Sequence, residues 1–319
     1  MSHAGPNAAS ARPSTGDGPE QESTTWRDVV AAYVGLTKPR VIELLLLTTV
    51  PVMFFAERGI PALGLVAATV VGGALSAGSA SAYNCVYDRD IDEQMRRTRR
   101  RALPRHMVSP LSALVFATVL AVLSTVVLAL WVNWLSAGLS LLANAFYVFV
   151  YTMLLKRRTT QNIVWGGLAG CFPALIGWTA VTGQLAWTPV VLFLVVFFWT
   201  PPHTWALALR YREDYRNVDV PMLPVVRPAS EVGRQVVLYS WVMVATSLLL
   251  WPVAGTSLVY PAAAAVLGAV FLVEAHRMWS RARSSDVLSE INPMRLFHAS
   301  NLYLSLLFVA VALDPLLGR

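Results

Sequence analysis

The chain is poor in charge and in cysteine. Only 13% of its 319 residues are Asp, Glu, Lys or Arg, while 56% are hydrophobic. That is about half the charged share of an ordinary soluble domain, so a soluble globule is excluded as the default reading. The two cysteines, Cys85 and Cys171, sit in separate apolar stretches with no ligand-type spacing to each other or to a histidine. A disulfide scaffold and a zinc site are excluded on the same ground. Residues 1–26 lack an apolar stretch long enough to form the core of a secretory signal and are rich in Ser, Ala, Gly, Pro, Glu and Thr. Residues 1–30 are therefore expected to form a disordered tail, followed by a single membrane-embedded domain over 31–319.

What the chain has in abundance is long apolar runs. Nine of them lie at about 41–56, 62–85, 109–131, 134–155, 162–182, 187–209, 236–254, 257–276 and 295–315. Each is close to the about 20 residues that cross a bilayer core as a helix. Backbone groups in hydrocarbon must be satisfied within their own segment, and runs this long with scattered Gly and Pro fit helices rather than barrel strands. The expected architecture is all-α, a polytopic bundle of nine transmembrane helices.

The formal charge of +7 has a pattern. The cations crowd the N-terminal tail and the second, fourth, sixth and eighth connections, leaving only Arg58 and Arg319 for the opposite side. Lys and Arg near span ends resist translocation, so the N-terminus and these connections are expected in the cytoplasm and the C-terminus outside, with the chain in the inner (cytoplasmic) membrane. Membrane lipid rather than nucleic acid accounts for the basic balance. The two long connections, about 86–108 and 210–235, hold most of the acidic residues outside the tail. Long polar loops on one face point to where function sits.

At the end of the second run the chain reads Asn84, Asp88 and Asp92 at intervals of four. On a continuing helix these residues stack on one face. Oxygen ligands at the membrane edge suit Mg2+, which keeps some of its waters and commonly bridges carboxylates to substrate phosphates. Arg96, Arg97, Arg99, Arg100 and Arg101 follow at once and could take phosphate oxygens that the metal leaves free. The alternative is that Asp88, Asp90, Asp92 and Glu93 only pair with these arginines on a solvated helix end. A second acidic cluster, Glu213, Asp214 and Asp219, follows the sixth run. The two clusters can hold Mg2+ on one diphosphate provided the bundle folds them together.

At these residues the chain resembles the UbiA-type intramembrane prenyltransferases. Asn84-xxx-Asp88-xxx-Asp92 with Met95-x-Arg97-Thr98-xx-Arg101-x-Leu103-Pro104 is similar to their first aspartate-rich signature, in the form carried by the protohaem IX farnesyltransferase (haem O synthase) branch. Leu36-Thr-Lys38-Pro39-Arg40 resembles the family's entry to its first span, and Tyr151-Thr-xxx-Lys156-Arg157-xx-Thr160-Gln161-Asn162 its fourth connection. Pro202-His203, Asp214-Tyr215 and Val220-Pro-Met-Leu-Pro224 resemble the second signature and point to the haem branch. Many members carry Asp-xxx-Asp in the second site, whereas Val218 stands four after Asp214 here and Asp219 follows at five.

The resemblance implies farnesyl diphosphate and haem b as substrates, haem O and diphosphate as products, Mg2+ as cofactor and haem A synthase as a partner. It assigns Asn84, Asp88, Asp92 and Asp214 to the metal, with Asp88, Asp92, Asp214 and Lys156 as the catalytic set. Lys156, Arg157, Arg97, Arg101, Lys38 and Arg40 are expected to contact diphosphate. Within the family, a quinone precursor or a chlorin is the alternative acceptor.

Several residues have two readings. His203, after Pro201-Pro202, could ligate haem iron, orient a propionate or handle a proton, or it could be a hydrogen-bonded histidine that shapes a helix. Glu43 has either a hydrogen bond within the bundle or a haem or proton role. His276 and His298 read as interfacial and His106 as a loop residue. Trp165, Trp178, Phe197, Phe198 and Trp199 either line a prenyl tunnel or form core and interface. A transporter and a haem-handling scaffold are the competing classes. Against the transporter, no inverted repeat is evident and the acidic clusters sit at the membrane edge rather than mid-membrane.

Overall fold

The computed structural model describes residues 25–317, apart from the side chains of Val41 and Leu44. Residues 1–24 of the expected tail, with Arg12, and Arg319 lie outside the described residues. Residues 26–30, assigned to the tail by composition, are helical: α1 spans Trp26–Thr37, opened by a reciprocal capping box between Thr25 and Asp28. Lys38 then takes a left-handed conformation (φ 52°), and Pro39 opens α2, Pro39–Glu57.

The remaining order is α3 Leu63–Tyr87, α4 Arg89–Gln94, α5 Pro110–Trp131 and α6 Trp134–Ala145, which runs on as a π-helical segment, Phe146–Leu155. Next come α7 Asn162–Gly166, a 3-10 turn over Gly167–Cys171, α8 Phe172–Thr182 and α9 Trp187–Arg210. The short α10 Arg212–Arg216 and α11 Leu223–Val226 lead to α12 Ala229–Ala254, α13 Val259–Ser284, α14 Leu288–Ile291 and α15 Pro293–Leu317. The described residues contain no strand. Eight helical stretches among them are long and apolar enough to cross a membrane, and the first expected span appears as the shorter apolar stretch Leu45–Glu57 of α2. The seventh expected span begins earlier than the apolar run, at Ala229, and the eighth reaches Ser284.

The long helices close a ring. α2 packs on α3, α3 on α5, α5 on α6, α6 on α8, α8 on α9, α9 on α12, α12 on α13, α13 on α15, and α15 returns to α2. Small residues allow the close approaches, as is usual between helices in lipid. A Cβ on Gly72 would lie 2.5 Å from Leu128 of α5, and one on Gly177 would lie 2.4 Å from the carbonyl oxygen of Thr49 in α2. Ser124 Oγ donates to Gly72 O at 2.7 Å and Ser79 Oγ to Ala117 O at 2.8 Å, so the α3–α5 seam carries polar contacts as well. The outer face is apolar: Leu111, Val115, Val122 and Leu130 of α5 are exposed. Such a face is stable only against lipid. The molecule is an integral membrane protein.

At one end of the ring Asp314 of α15 reaches the start of α13, accepting from Ser257 N (3.0 Å), Ser257 Oγ (2.6 Å) and Tyr260 N (3.2 Å). A buried carboxylate from one helix thus satisfies the free amides that open another. Glu274 of α13, also buried, binds Arg281 and, on α15, Arg295.

Candidate active site

The chemistry-bearing residues gather at one end of the ring, where three connections meet. Asn84, in the last turn of α3, donates from Nδ2 to Asp88 Oδ2 (2.6 Å) and to Thr152 Oγ1 (3.2 Å), while its Oδ1 accepts from Lys38 Nζ (2.7 Å). Asp88 N bonds Asn84 O and Asp92 N bonds Asp88 O, so the backbone carries the helical step through the junction of α3 and α4. That continuity stacks the three side chains as their spacing requires.

Each carboxylate has a cation. Asp88, fully buried, pairs with Lys156 through Oδ2 and with Arg157 at 3.3 Å through Oδ1. Asp92 pairs with Arg101 at 2.6 Å, and the exposed Asp90 takes both terminal nitrogens of Arg157 at 2.7 Å. The hydrogen bond from Arg157 holds the Asp90 carboxyl below its ordinary range. Burial, reinforced by the nearby charges of Arg101 and Lys156, pulls the Lys38 ammonium down to about 8. At Lys156 burial also pulls downward, but the adjacent Asp88 carboxylate wins and raises it.

The second acidic cluster meets the loop that follows the first. The backbone amide of Arg97 donates to Asp214 Oδ2 at 3.2 Å, and Arg97 Nη2 donates to the Tyr215 hydroxyl at 3.3 Å. The Arg97 guanidinium lies 5.4 Å from the centre of the Tyr211 ring. Asp214, 8% exposed, therefore holds the loop that carries Arg97 and Arg101. Asp219 is exposed, at φ 53°, in the turn after α10, a conformation that Asp tolerates.

Behind this cluster lies a cavity of about 910 Å3 inside the ring. Ligand sites reach about 1,000 Å3. Its walls come from α2, α3, α6 with its π segment, α7, α8, α9 and α15, and are mostly apolar, with scattered hydroxyls such as Thr48, Ser81 and Thr200. The π segment turns Tyr147 and Tyr151 into it. π-helical turns of this kind are often found at functional sites. Tyr151 packs where Gly166 leaves room, since a Cβ there would sit 2.1 Å from its ring. Tyr151 is in electrostatic reach of Lys156, Asp88 and Arg97, which places it between cavity and cluster.

The other expected residues divide. Arg40 and Glu43 are exposed and line the cavity, so Glu43 is not enclosed in the bundle. His203 lines the cavity as well. Of the five aromatics only Trp199 does. Trp165 is exposed, Trp178 packs near Phe55, and Phe197 and Phe198 meet edge to face. His106 is an exposed turn residue, His298 is exposed, and His276 bonds Leu272 O. Sequence alone does not single out Thr152, Tyr147, Phe297 or Ser300: Thr152 bonds Asn84, Tyr147 and Phe297 line the cavity, and Ser300 bonds His203. Asn162 Nδ2 holds the Lys156 carbonyl at 3.1 Å.

The donor set suits a hard divalent cation. Asp88, Asp92 and Asp214 are buried, all their ligand atoms are oxygen, and Asn84 adds an amide. Among the described residues no three His, Cys, Asp or Glu side chains form a ready-made cage. Mg2+ commonly uses one or two carboxylates and completes its shell with substrate phosphate and water, so these residues fit it as a site shared with a diphosphate. In the protein alone, the cations that could receive that diphosphate neutralise the carboxylates instead.

Comparison with known proteins gives the family and the fold. Residues 45–301 match the UbiA prenyltransferase family. A protoheme IX farnesyltransferase of Nocardioides sp. is 79% identical over 318 residues, covering 100% of both chains. One of Cutibacterium acnes is 61% identical, covering 91% of this chain and 86% of its own. Among solved structures, a digeranylgeranylglyceryl phosphate synthase superposes with a TM-score of 0.73 at 14% identity, covering 90% of this chain and 99% of that one. A UbiA homologue from Archaeoglobus fulgidus bound to DMAPP and Mg2+ superposes with a TM-score of 0.67 at 17% identity, covering 88% and 99%.

Proposed function

The chain belongs to the UbiA prenyltransferase family and is a prenyltransferase, and from that premise we propose that it transfers the farnesyl group of farnesyl diphosphate to a vinyl group of protohaem IX. Water completes the reaction, and the products are haem O and diphosphate. The observation that carries this reading is the meeting of Asp88, Asp92 and Asp214 with Lys156, Arg97 and Arg101 beside a large apolar cavity. The near-complete likeness to enzymes named for farnesylating protohaem supplies the acceptor.

The difficult event is heterolysis of the allylic C–O bond, whose electrons leave with the diphosphate. Lys156, Arg101, Arg97 and Arg157 would receive that charge, together with Lys38, which bonds Asn84, and Arg40 in the cavity wall. Asp88, Asp92 and Asp214, with Asn84 beside them, would hold Mg2+, which supplies further electrostatic stabilisation of the leaving group. The prenyl chain extends into the cavity, where apolar walls keep stray water from the allylic carbon until the vinyl carbon attacks. The C–C bond forms at the terminal vinyl carbon. Water then adds at the carbon next to the pyrrole and loses a proton, leaving the hydroxyethylfarnesyl group.

By the distribution of Lys and Arg, the diphosphate end faces the cytoplasm of the inner membrane, and haem A synthase is the partner suited to take up the product. Incubation of the purified protein with haem b, farnesyl diphosphate and Mg2+, read by mass spectrometry, tests the proposal. A hydroxyethylfarnesyl porphyrin that takes 18O from labelled water supports it. Prenylation of a phenolic quinone precursor or a chlorin, with haem left unchanged, overturns the assigned acceptor.

A further inference from the structure

His203 stands in the cavity wall on α9, clamped by two rings. Trp199 stacks on one side, with centroids 4.1 Å apart at 21°, and Phe297 of α15 stacks at 4.6 Å and 29°. The clamp is tied across the ring seam: Trp199 Nε1 donates to Ser300 O at 2.8 Å, and His203 Nδ1 meets Ser300 Oγ at 2.8 Å.

The hydrogen bonds of Ser300 assign a tautomer. Ser300 Oγ has one proton, and it is donated to the Phe297 carbonyl oxygen at 2.7 Å, an atom that can only accept. With its proton on that carbonyl the serine accepts from His203, which assigns the imidazole proton to Nδ1. The lone pair of the neutral ring is left on Nε2. Among the described residues Nε2 has no hydrogen-bond partner.

That lone pair discriminates between ligands. An ionised propionate has no proton to give Nε2 and receives none from it, so the two repel. Proton uptake would create an imidazolium whose partners here include no carboxylate. A borderline-soft transition metal needs what is present: a neutral imidazole with its other nitrogen hydrogen-bonded and its plane held. We propose that His203 Nε2 is the axial ligand of the iron of the porphyrin acceptor, and so sets where the vinyl group lies relative to the prenyl chain. This rests on the haem acceptor proposed above.

The test uses the purified full chain with haem b, and with metal-free protoporphyrin IX as the control. The ferrous wild-type complex should show an iron–imidazole stretch in resonance Raman. His203→Gly should lose it, shift the Soret band and bind haem roughly tenfold or more weakly. Added imidazole should restore the spectrum, which also shows that the variant is folded. Affinity for the metal-free porphyrin should be unchanged. Ser300→Ala should keep the ligand but move the stretch, because the Nδ1 bond tunes its basicity. Identical spectra for wild type and His203→Gly, or equal weakening for haem and metal-free porphyrin, would overturn the ligation and leave the haem acceptor standing. Absence of any haem binding or haem product in the wild type would overturn both.

Discussion

Lys156 and Asp88 form an ion pair inside the protein, their side chains 15% and 0% exposed, and it joins the end of the π segment to the end of α3. Such a pair compensates two charges that would be costly to bury alone. Lys156→Met should lower kcat/KM by about 10²–10³, the usual loss of one oxyanion-stabilising donor. It should also destabilise the fold by roughly 2–3 kcal/mol, less than an unrelieved buried charge, because Arg157 and Asn84 still contact Asp88. Adding Asp88→Asn should recover part of that stability and none of the activity. Thermal unfolding in detergent and steady-state kinetics read the two effects separately.

Asp214 holds the Arg97 amide, so its removal should release the loop it anchors. In Asp214→Ala, amide hydrogen exchange over residues 95–101 should accelerate while exchange in α12 and α13 stays unchanged. The KM for farnesyl diphosphate should rise with it. Unaltered protection of 95–101 would show that the contact does not order the loop.

Gly166 and Tyr151 give a steric prediction with its own control. A methyl at position 166 would meet the Tyr151 ring at 2.1 Å, so Gly166→Ala should cost about 1–3 kcal/mol and lower activity by displacing the tyrosine. Gly138→Ala, in helix α6 with nothing within 4 Å, should be neutral or stabilise by about 0.5–1 kcal/mol. Equal effects at the two positions would contradict the packing argument.

Asp314 sets the start of α13 far from the diphosphate end. Asp314→Ala should cost about 2 kcal/mol through three lost hydrogen bonds and an uncapped helix. The KM for either substrate should not move. A raised KM would mean that the cap communicates with the site.

Much of this was legible in the sequence because the bilayer imposes a length. Runs such as 109–131 and 187–209 declare their helices, and Pro110–Trp131 and Trp187–Arg210 follow them closely. The spacing of Asn84, Asp88 and Asp92 declared a shared face, since it is a local property of a helix. Three features were not legible. Helix α1 is largely exposed and, at twelve residues, too short for a span, so membrane-length runs do not separate it from the polar tail. The π segment has the same composition as the helix it extends, and the extra residue per turn that aims Tyr147 and Tyr151 leaves no trace in hydropathy. Contacts such as Arg97 with Asp214 and His203 with Ser300 join residues separated by 117 and 97 positions, and only closure of the ring brings them together.

The central claim is that the two acidic clusters serve one diphosphate. Pulsed EPR on the protein with Mn2+ and a non-cleavable farnesyl thiolodiphosphate measures it directly. The account predicts a phosphorus hyperfine coupling in the wild type that is lost in both Asp88→Asn and Asp214→Asn. A coupling that survives loss of either carboxylate would contradict it.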